Sequence, residues 1–155
     1  MQTIYTVGHG LLAREALVAN LRRHDIEVVV DVRSQPMSTR APQFNRDALR
    51  EALDADGIAY AWKGGALGGR PAAHLRTASG APDYERMAAE PSTADAIAQL
   101  AAAADSRRIA LLCSESKPEE CHRSRMLEPE FELRGVAVEH ILPDGSLAAR
   151  PTLFL

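Results

Sequence analysis

Two short stretches, Cys113-Ser114-Glu115 and Cys121-His122-Arg123, hold most of the side chains able to do covalent chemistry. A cysteine near a helix start and beside an arginine such as Arg123 or Arg33 ionises easily, and its thiolate is a nucleophile. Cys113 reads as that nucleophile or as a redox thiol, although a cysteine also packs well as a small apolar side chain. The spacing excludes two simple motifs. A phosphatase-type loop needs arginine six positions after its cysteine, where this chain has Glu119, and the two cysteines do not form Cys-x-x-Cys. A reversible Cys113–Cys121 disulfide stays open if the loop between them folds back.

Other polar groups stand where apolar runs end. His9 lies between Gly8 and Gly10, Asp31 leads into Val32-Arg33-Ser34, and a glycine-rich segment carries Gly68-Gly69-Arg70. His9 or His122 can serve as acid and base. Asp31 and Glu115 can orient or ligate, while Cys121 completes the set. Arg33, Arg70 and Arg123, with Ser34 and the loop glycines Gly68 and Gly69, can hold a phosphate or carboxylate, because the guanidinium fork suits bidentate anions. His9, Asp31, Cys113, Glu115, Cys121 and His122 are also zinc or iron ligand types. Their ordinary alternative is a hydrogen-bonded network in which Asp31 pairs with Arg33 or Arg123. Gly8-His9-Gly10-Leu11-Leu12-Ala13 loosely fits a dinucleotide fingerprint and reads better as a phosphate-tolerant helix start.

The elements that must position these groups follow from periodicity and breakers. Strands are expected at Thr3–Val7, Ile26–Val30, Ile58–Trp62, Arg108–Cys113 and Val136–Leu142, and the middle ones are apolar on both faces, as in a parallel sheet covered by helices. Tyr60 and Trp62, alternating on one of them, are expected in the core. Helices are expected from Leu11 to His24, from an Asn45 cap to Ala55, over Asp83–Ala89, from Thr93 to Ala104, and from Cys121 to Arg134 with a break at Pro129. Ser34–Gln43 and Lys63–Pro82 read as irregular loops, and an Asp144-Gly145 turn precedes a short apolar end. This alternation predicts one α/β domain over 1–155, three-layered and Rossmann-like, with a mostly parallel sheet of about five strands. Ligands of such sheets bind beyond the carboxyl ends of the strands, which is where all the groups above fall.

Composition narrows the class. The 155 residues carry a net charge of −3, so no bulk positive field attracts nucleic acid or membrane. Two cysteines are far below a secreted disulfide scaffold and point to reduced thiols in a cytoplasm. The apolar runs are short, and the start lacks the basic-then-apolar pattern of a signal peptide. Only Lys63 and Lys117 among the 18 basic residues are lysine, and most arginines fall on expected helix surfaces.

Ile4-Tyr5-Thr6-Val7-Gly8-His9, Asp31-Val32-Arg33-Ser34-Gln35-Pro36, Gly57-Ile58-Ala59-Tyr60, Leu67-Gly68-Gly69-Arg70, Cys113-Ser114-Glu115, Cys121-His122-Arg123 and Val138 to Gly145 stand in a characteristic order. In this the chain resembles the bacterial domain-of-unknown-function 488 family over nearly its whole length. The resemblance implies a cytoplasmic α/β domain and no established reaction. The chain departs from it at Gly10, where the family has serine, and at Pro129.

The expected function is therefore that of a small cytoplasmic enzyme or ligand-binding domain. It would act on a phosphate- or nucleotide-containing small molecule at the carboxyl rim of the sheet, through a cysteine. The alternative is a non-catalytic zinc, iron or ligand sensor working through a partner protein. The expected partner is a small anionic ligand, with membrane and nucleic acid disfavoured; the sequence specifies no cofactor and no oligomeric state.

Overall fold

A computed structural model describes residues 2–149. The apolar strands assemble as β1 (Gln2–Gly8), β2 (Val28–Asp31), β3 (Ala59–Trp62), β4 (Ile109–Cys113) and β5 (Val136–Ile141). They form one sheet in the order β3-β2-β4-β1-β5 with every neighbouring pair parallel. The fold is thus the three-layer, Rossmann-like α/β arrangement. All five residues of β4 are buried, because the central strand is covered on both faces.

Successive side chains of a strand point to opposite faces. Val7, Val29, Ala110 and Leu112 face α1 (Arg14–Arg23) and α2 (Arg46–Ala55), packing on Leu17, Leu21, Leu49 and Leu53. Ile4, Val30, Ile109, Leu111 and Cys113 face the other side. There α3 (Gly64–Leu67), α4 (Tyr84–Ala89), α5 (Pro91–Ala103) and α6 (Glu128–Leu133) supply Leu67, Met87, Ile97 and Phe131. β1 and β4 are neighbours whose following chains leave toward opposite faces.

Local details depart from expectation in three places. The Lys63–Pro82 segment is not wholly irregular: it contains α3 and a 3₁₀ turn at Ala73–Leu75. Asn45 does stand at the start of α2, but its side chain makes no cap there, and Oδ1 instead accepts from the Ser38 amide. The expected break at Pro129 is a change of pitch. A π-helical turn at Arg123–Leu127 runs into α6, whose first turn holds Pro129, where its missing N–H costs nothing. The apolar end beyond residue 149 lies outside the described residues. Among those described, no helix is long and apolar enough to cross a membrane.

Candidate functional site

Beyond the carboxyl ends of β2 and β4 lies a cavity of about 200 Å³. The segments after β2 and β3 contribute Arg33, Ser34, Gln35, Gly69 and Arg70 to its lining; the segment after β4 contributes Cys113, Ser114, Glu115, Glu120, Cys121 and His122, with Tyr84 beside them. Three larger surface hollows, one between α1 and α2, one at the opposite end of the sheet and one beside α4 and α6, contain neither cysteine nor histidine.

The chain from Ser114 to Glu120 folds back so that the Sγ atoms of Cys113 and Cys121 lie 2.9 Å apart, both as free thiols. Gly8 permits this, since a Cβ there would sit 1.6 Å from the carbonyl oxygen of Glu115. Arg123, fully buried, clamps the same loop: Nη2 donates to the carbonyl oxygens of Glu115 (2.9 Å) and Ser116 (3.0 Å), and Nη1 to Thr6 Oγ1. Thr6 also meets His140 Nδ1, whose Nε2 in turn meets Glu128. Arg123, read from the sequence as an anion-holding residue, thus has Nη2 engaged by the loop and Nη1 by Thr6. Its Nε is the one buried side-chain nitrogen or oxygen among the described residues with no hydrogen-bond partner.

His122 is fixed by its Nε2, which donates to the Leu67 carbonyl oxygen at 2.8 Å, so that Nδ1 faces Cys121 Sγ at 3.5 Å. Gly69 lets this ring in; a Cβ on Gly69 would approach Nδ1 to 2.8 Å. The two cysteines separate sharply in acidity. Cys121 is lowered to about 4, chiefly by the hydrogen bond from Cys113, with further help from His122 and the Arg123 amide against the cost of burial. Cys113 is pushed well up by that same hydrogen bond and by burial, which the Arg123 charge only partly offsets. Of the two sulfurs, Cys121 is thus the more acidic; the sequence reading places the nucleophile at Cys113.

A second cluster lies on the other face of the rim. The guanidinium of Arg33 donates to both oxygens of Asp31, at 2.9 and 2.7 Å, and both side chains are almost wholly buried. Tyr60 donates its hydroxyl to the same carboxylate, and Trp62 Nε1 donates to the Arg33 carbonyl oxygen. The two strand aromatics are thus half-buried braces of this pair. His9 packs on Phe44, donates from Nδ1 to the Gly10 carbonyl oxygen at 2.8 Å, and turns Nε2 to Arg33 Nη1 at 3.3 Å. Burial lowers the pKa of His9, keeping the ring neutral as that geometry requires.

The structure therefore divides the residues expected to act together. Cys113, Cys121, His122, Glu115, Ser34, Arg33, Arg70 and Gly69 line one cavity, while His9 and Asp31 lie behind Arg33 on the α1/α2 face. Register explains the split: Gly8 pairs with Cys113 across the sheet, so His9, one residue on, points the other way. Of the two histidines only His122 meets a thiol. Gly68 lines no part of the cavity but lets Ser34 close in; Ser34 Oγ accepts from the Arg70 amide at 3.0 Å. The amides of His9 and Gly10 donate to the carbonyl oxygens of Cys113 and Ser114, so they are not free for a phosphate, and α1 starts only at Arg14. No three His, Cys, Asp or Glu side chains among the described residues converge to hold a metal ion. Tyr84, Gln35 and Glu120 line the cavity without any signal in the sequence; Leu67 contributes through its backbone alone.

The profile of the family described as domain of unknown function DUF488 matches residues 13–128. The chain belongs to that family. The matched span holds both cysteines, His122 and every cavity-lining arginine, and it leaves out His9 and β5. A comparison with curated proteins and one with solved structures each return no match.

Proposed function

We propose that this DUF488 domain binds the phosphate-bearing end of a small, nucleotide-like molecule in the cavity and presents the Cys121 thiolate to it for group transfer. The observation that carries this reading is that Cys121, His122 and Arg70 line the same cavity. Arg70 is exposed, and its guanidinium enters no ion pair among the described residues, so the charge is available to a ligand. Arg33 lines the same cavity, but its charge is already paired with Asp31.

At about 200 Å³ the cavity is smaller than the roughly 300–1,000 Å³ that encloses a whole drug-sized ligand, which favours a phosphate end over an entire nucleotide. Glu115 and Glu120, in the same lining, suit amino or hydroxyl groups on the remainder of such a molecule. A thiolate with a neighbouring imidazole is the pairing that nucleophilic catalysis uses, with Nδ1 of His122 able to take up or return a proton.

Competition tests this. Alkylation of Cys121 by iodoacetamide should slow in the presence of inorganic phosphate or a nucleoside monophosphate, and Arg70→Ala should abolish the protection. If neither anion slows alkylation nor gives a heat of binding, the reading fails.

A further inference from the structure

Cys113 and Cys121 are buried against one another inside an otherwise polar cavity, and the fold holds them there with some care. Cys113 is anchored in the central strand, and its carbonyl oxygen accepts from the His9 amide at 3.0 Å. Cys121 sits at the end of a 3₁₀ turn, Pro118–Glu120, with its amide donating to the Pro118 carbonyl oxygen. Arg123 ties the intervening loop down at Glu115 and Ser116. The resulting 2.9 Å between the sulfurs is roughly an ångström more than a disulfide bond of about 2.05 Å, so a small side-chain movement joins them. An apolar core has no need of this arrangement. Two packed thiols would do as well at van der Waals separation, without His122 aimed at one of them.

We infer that Cys113 and Cys121 form a redox-active dithiol that a hydroperoxide oxidises to a reversible disulfide. Cys121 attacks first, since the imidazole of His122 faces its sulfur. Its sulfur bonds to one peroxide oxygen, the O–O bond breaks, and the departing alkoxide or hydroxide takes a proton. Cys121 is then a sulfenic acid. The Cys113 sulfur attacks that sulfur next: the S–S bond forms, the S–O bond breaks, and the leaving hydroxide collects the Cys113 proton as water. Two electrons pass from the sulfurs to the peroxide oxygens, and an external dithiol returns them by exchange. Cys121 is thus the attacking thiol and Cys113 the resolving one. The consequence for group transfer rests on the function proposed above: the disulfide withdraws the Cys121 thiolate while leaving Arg70 free to bind an anion.

The whole chain, treated with a slight excess of hydrogen peroxide at neutral pH and then denatured in the presence of N-ethylmaleimide, should lose the mass of two hydrogens and take up no maleimide. Peptide mapping should join Cys113 to Cys121, and dithiothreitol should restore both maleimide sites. Cys113→Ser should stop at one added oxygen that dimedone captures, and Cys121→Ser should oxidise at least about ten-fold more slowly, having lost the more acidic thiol. Wild-type protein that still takes two maleimides after peroxide, or that gains oxygen without a cross-link, would overturn the inference. Phosphate binding measured on the reduced and oxidised forms separates the two ideas. A disulfide without phosphate binding sinks only the proposed function; phosphate binding without a disulfide sinks only the dithiol.

Discussion

His122 Nε2 donates to the carbonyl oxygen of Leu67 over 2.8 Å, and that single bond decides what the other ring nitrogen can do. With Nε2 holding a proton, Nδ1 is left to face Cys121 Sγ. A backbone carbonyl in a glycine-rich stretch thereby sets the protonation pattern of a side chain more than fifty residues away in sequence.

The acidity of Cys121 owes most to the hydrogen bond from Cys113 and has a measurable pH signature. Alkylation of Cys121 should be half-maximal near pH 4 and flat from about pH 6 to 8, because a group lowered to about 4 is fully ionised there. Cys113, pushed upward, should stay unmodified across that range. His122→Gln keeps a nitrogen able to reach the Leu67 carbonyl but removes Nδ1 from the sulfur. The Cys121 midpoint should then rise, yet stay below that of a free cysteine, since Cys113 and the Arg123 amide still donate. Rates of iodoacetamide modification, read by mass spectrometry at each pH, check both statements. A midpoint unchanged in the variant removes His122 from the account.

Arg33 and Arg70 should behave oppositely despite lining the same cavity. Arg33 is 4% exposed and neutralises a carboxylate that no water reaches, so Arg33→Ala leaves Asp31 charged and unpaired. Breaking such a pair costs about 3–5 kcal/mol. Arg70 is exposed, and its side chain meets no carboxylate among the described residues, so Arg70→Ala should stay within about 0.5 kcal/mol of wild type. Urea denaturation of both variants separates them, and equal losses would contradict the division between scaffold and ligand-facing charge.

The fold was legible because apolar runs of this kind have few other places to go. Ile109–Cys113 offers no wet face, and five such runs alternating with helical segments lead to a parallel sheet. Gly64–Leu67 was not legible as helix. Glycine weakens a helix locally, and this one exists because Gly64 packs where a Cβ would come within 1.8 Å of the Arg33 carbonyl oxygen. The rim was legible as a set of residues and not as an arrangement. Which of them face one another depends on strand register, and register placed Cys113 and His9 on opposite faces. The difference in acidity between the two cysteines was likewise hidden, since it depends on the fold-back of the Ser114–Glu120 loop and on the direction of one imidazole.

Glycine substitutions should expose that loop as the determinant. A methyl group on Gly8 would meet the Glu115 carbonyl at 1.6 Å, and backbone cannot step aside as a side chain can. Gly8→Ala should therefore cost at least about 1–3 kcal/mol, the usual range for overpacking, and should slow Cys121 alkylation near neutral pH by moving the two sulfurs apart. Gly57 is the control. It has φ +73° with nothing near its Cβ position, so Gly57→Ala should cost about 1–2 kcal/mol of backbone strain and leave the thiolate untouched. Thermal unfolding combined with alkylation rates tests the pair. If Gly8→Ala leaves both at wild-type values, the loop does not govern the site.

His9 should reveal itself through stability rather than reactivity. Its pKa is lowered in the folded protein, first by burial and further by the Arg33 charge, while the unfolded chain keeps the ordinary value near 6.5. Below that value the unfolded state binds a proton that the folded state refuses, so stability must fall with falling pH until the folded pKa is reached. The stabilisation is thus fully present above about pH 6.5 and drains at up to roughly 1.4 kcal/mol per pH unit below it. Cys121 contributes a slope of the same sign between its folded value of about 4 and that of a free thiol, so the wild-type profile alone cannot assign the effect. The difference between wild type and His9→Gln isolates it: that difference should be constant above pH 7 and shrink as pH drops toward 5. Urea midpoints measured from pH 5 to 8 give it directly, and a difference that does not change with pH would mean that His9 is not held neutral against Arg33.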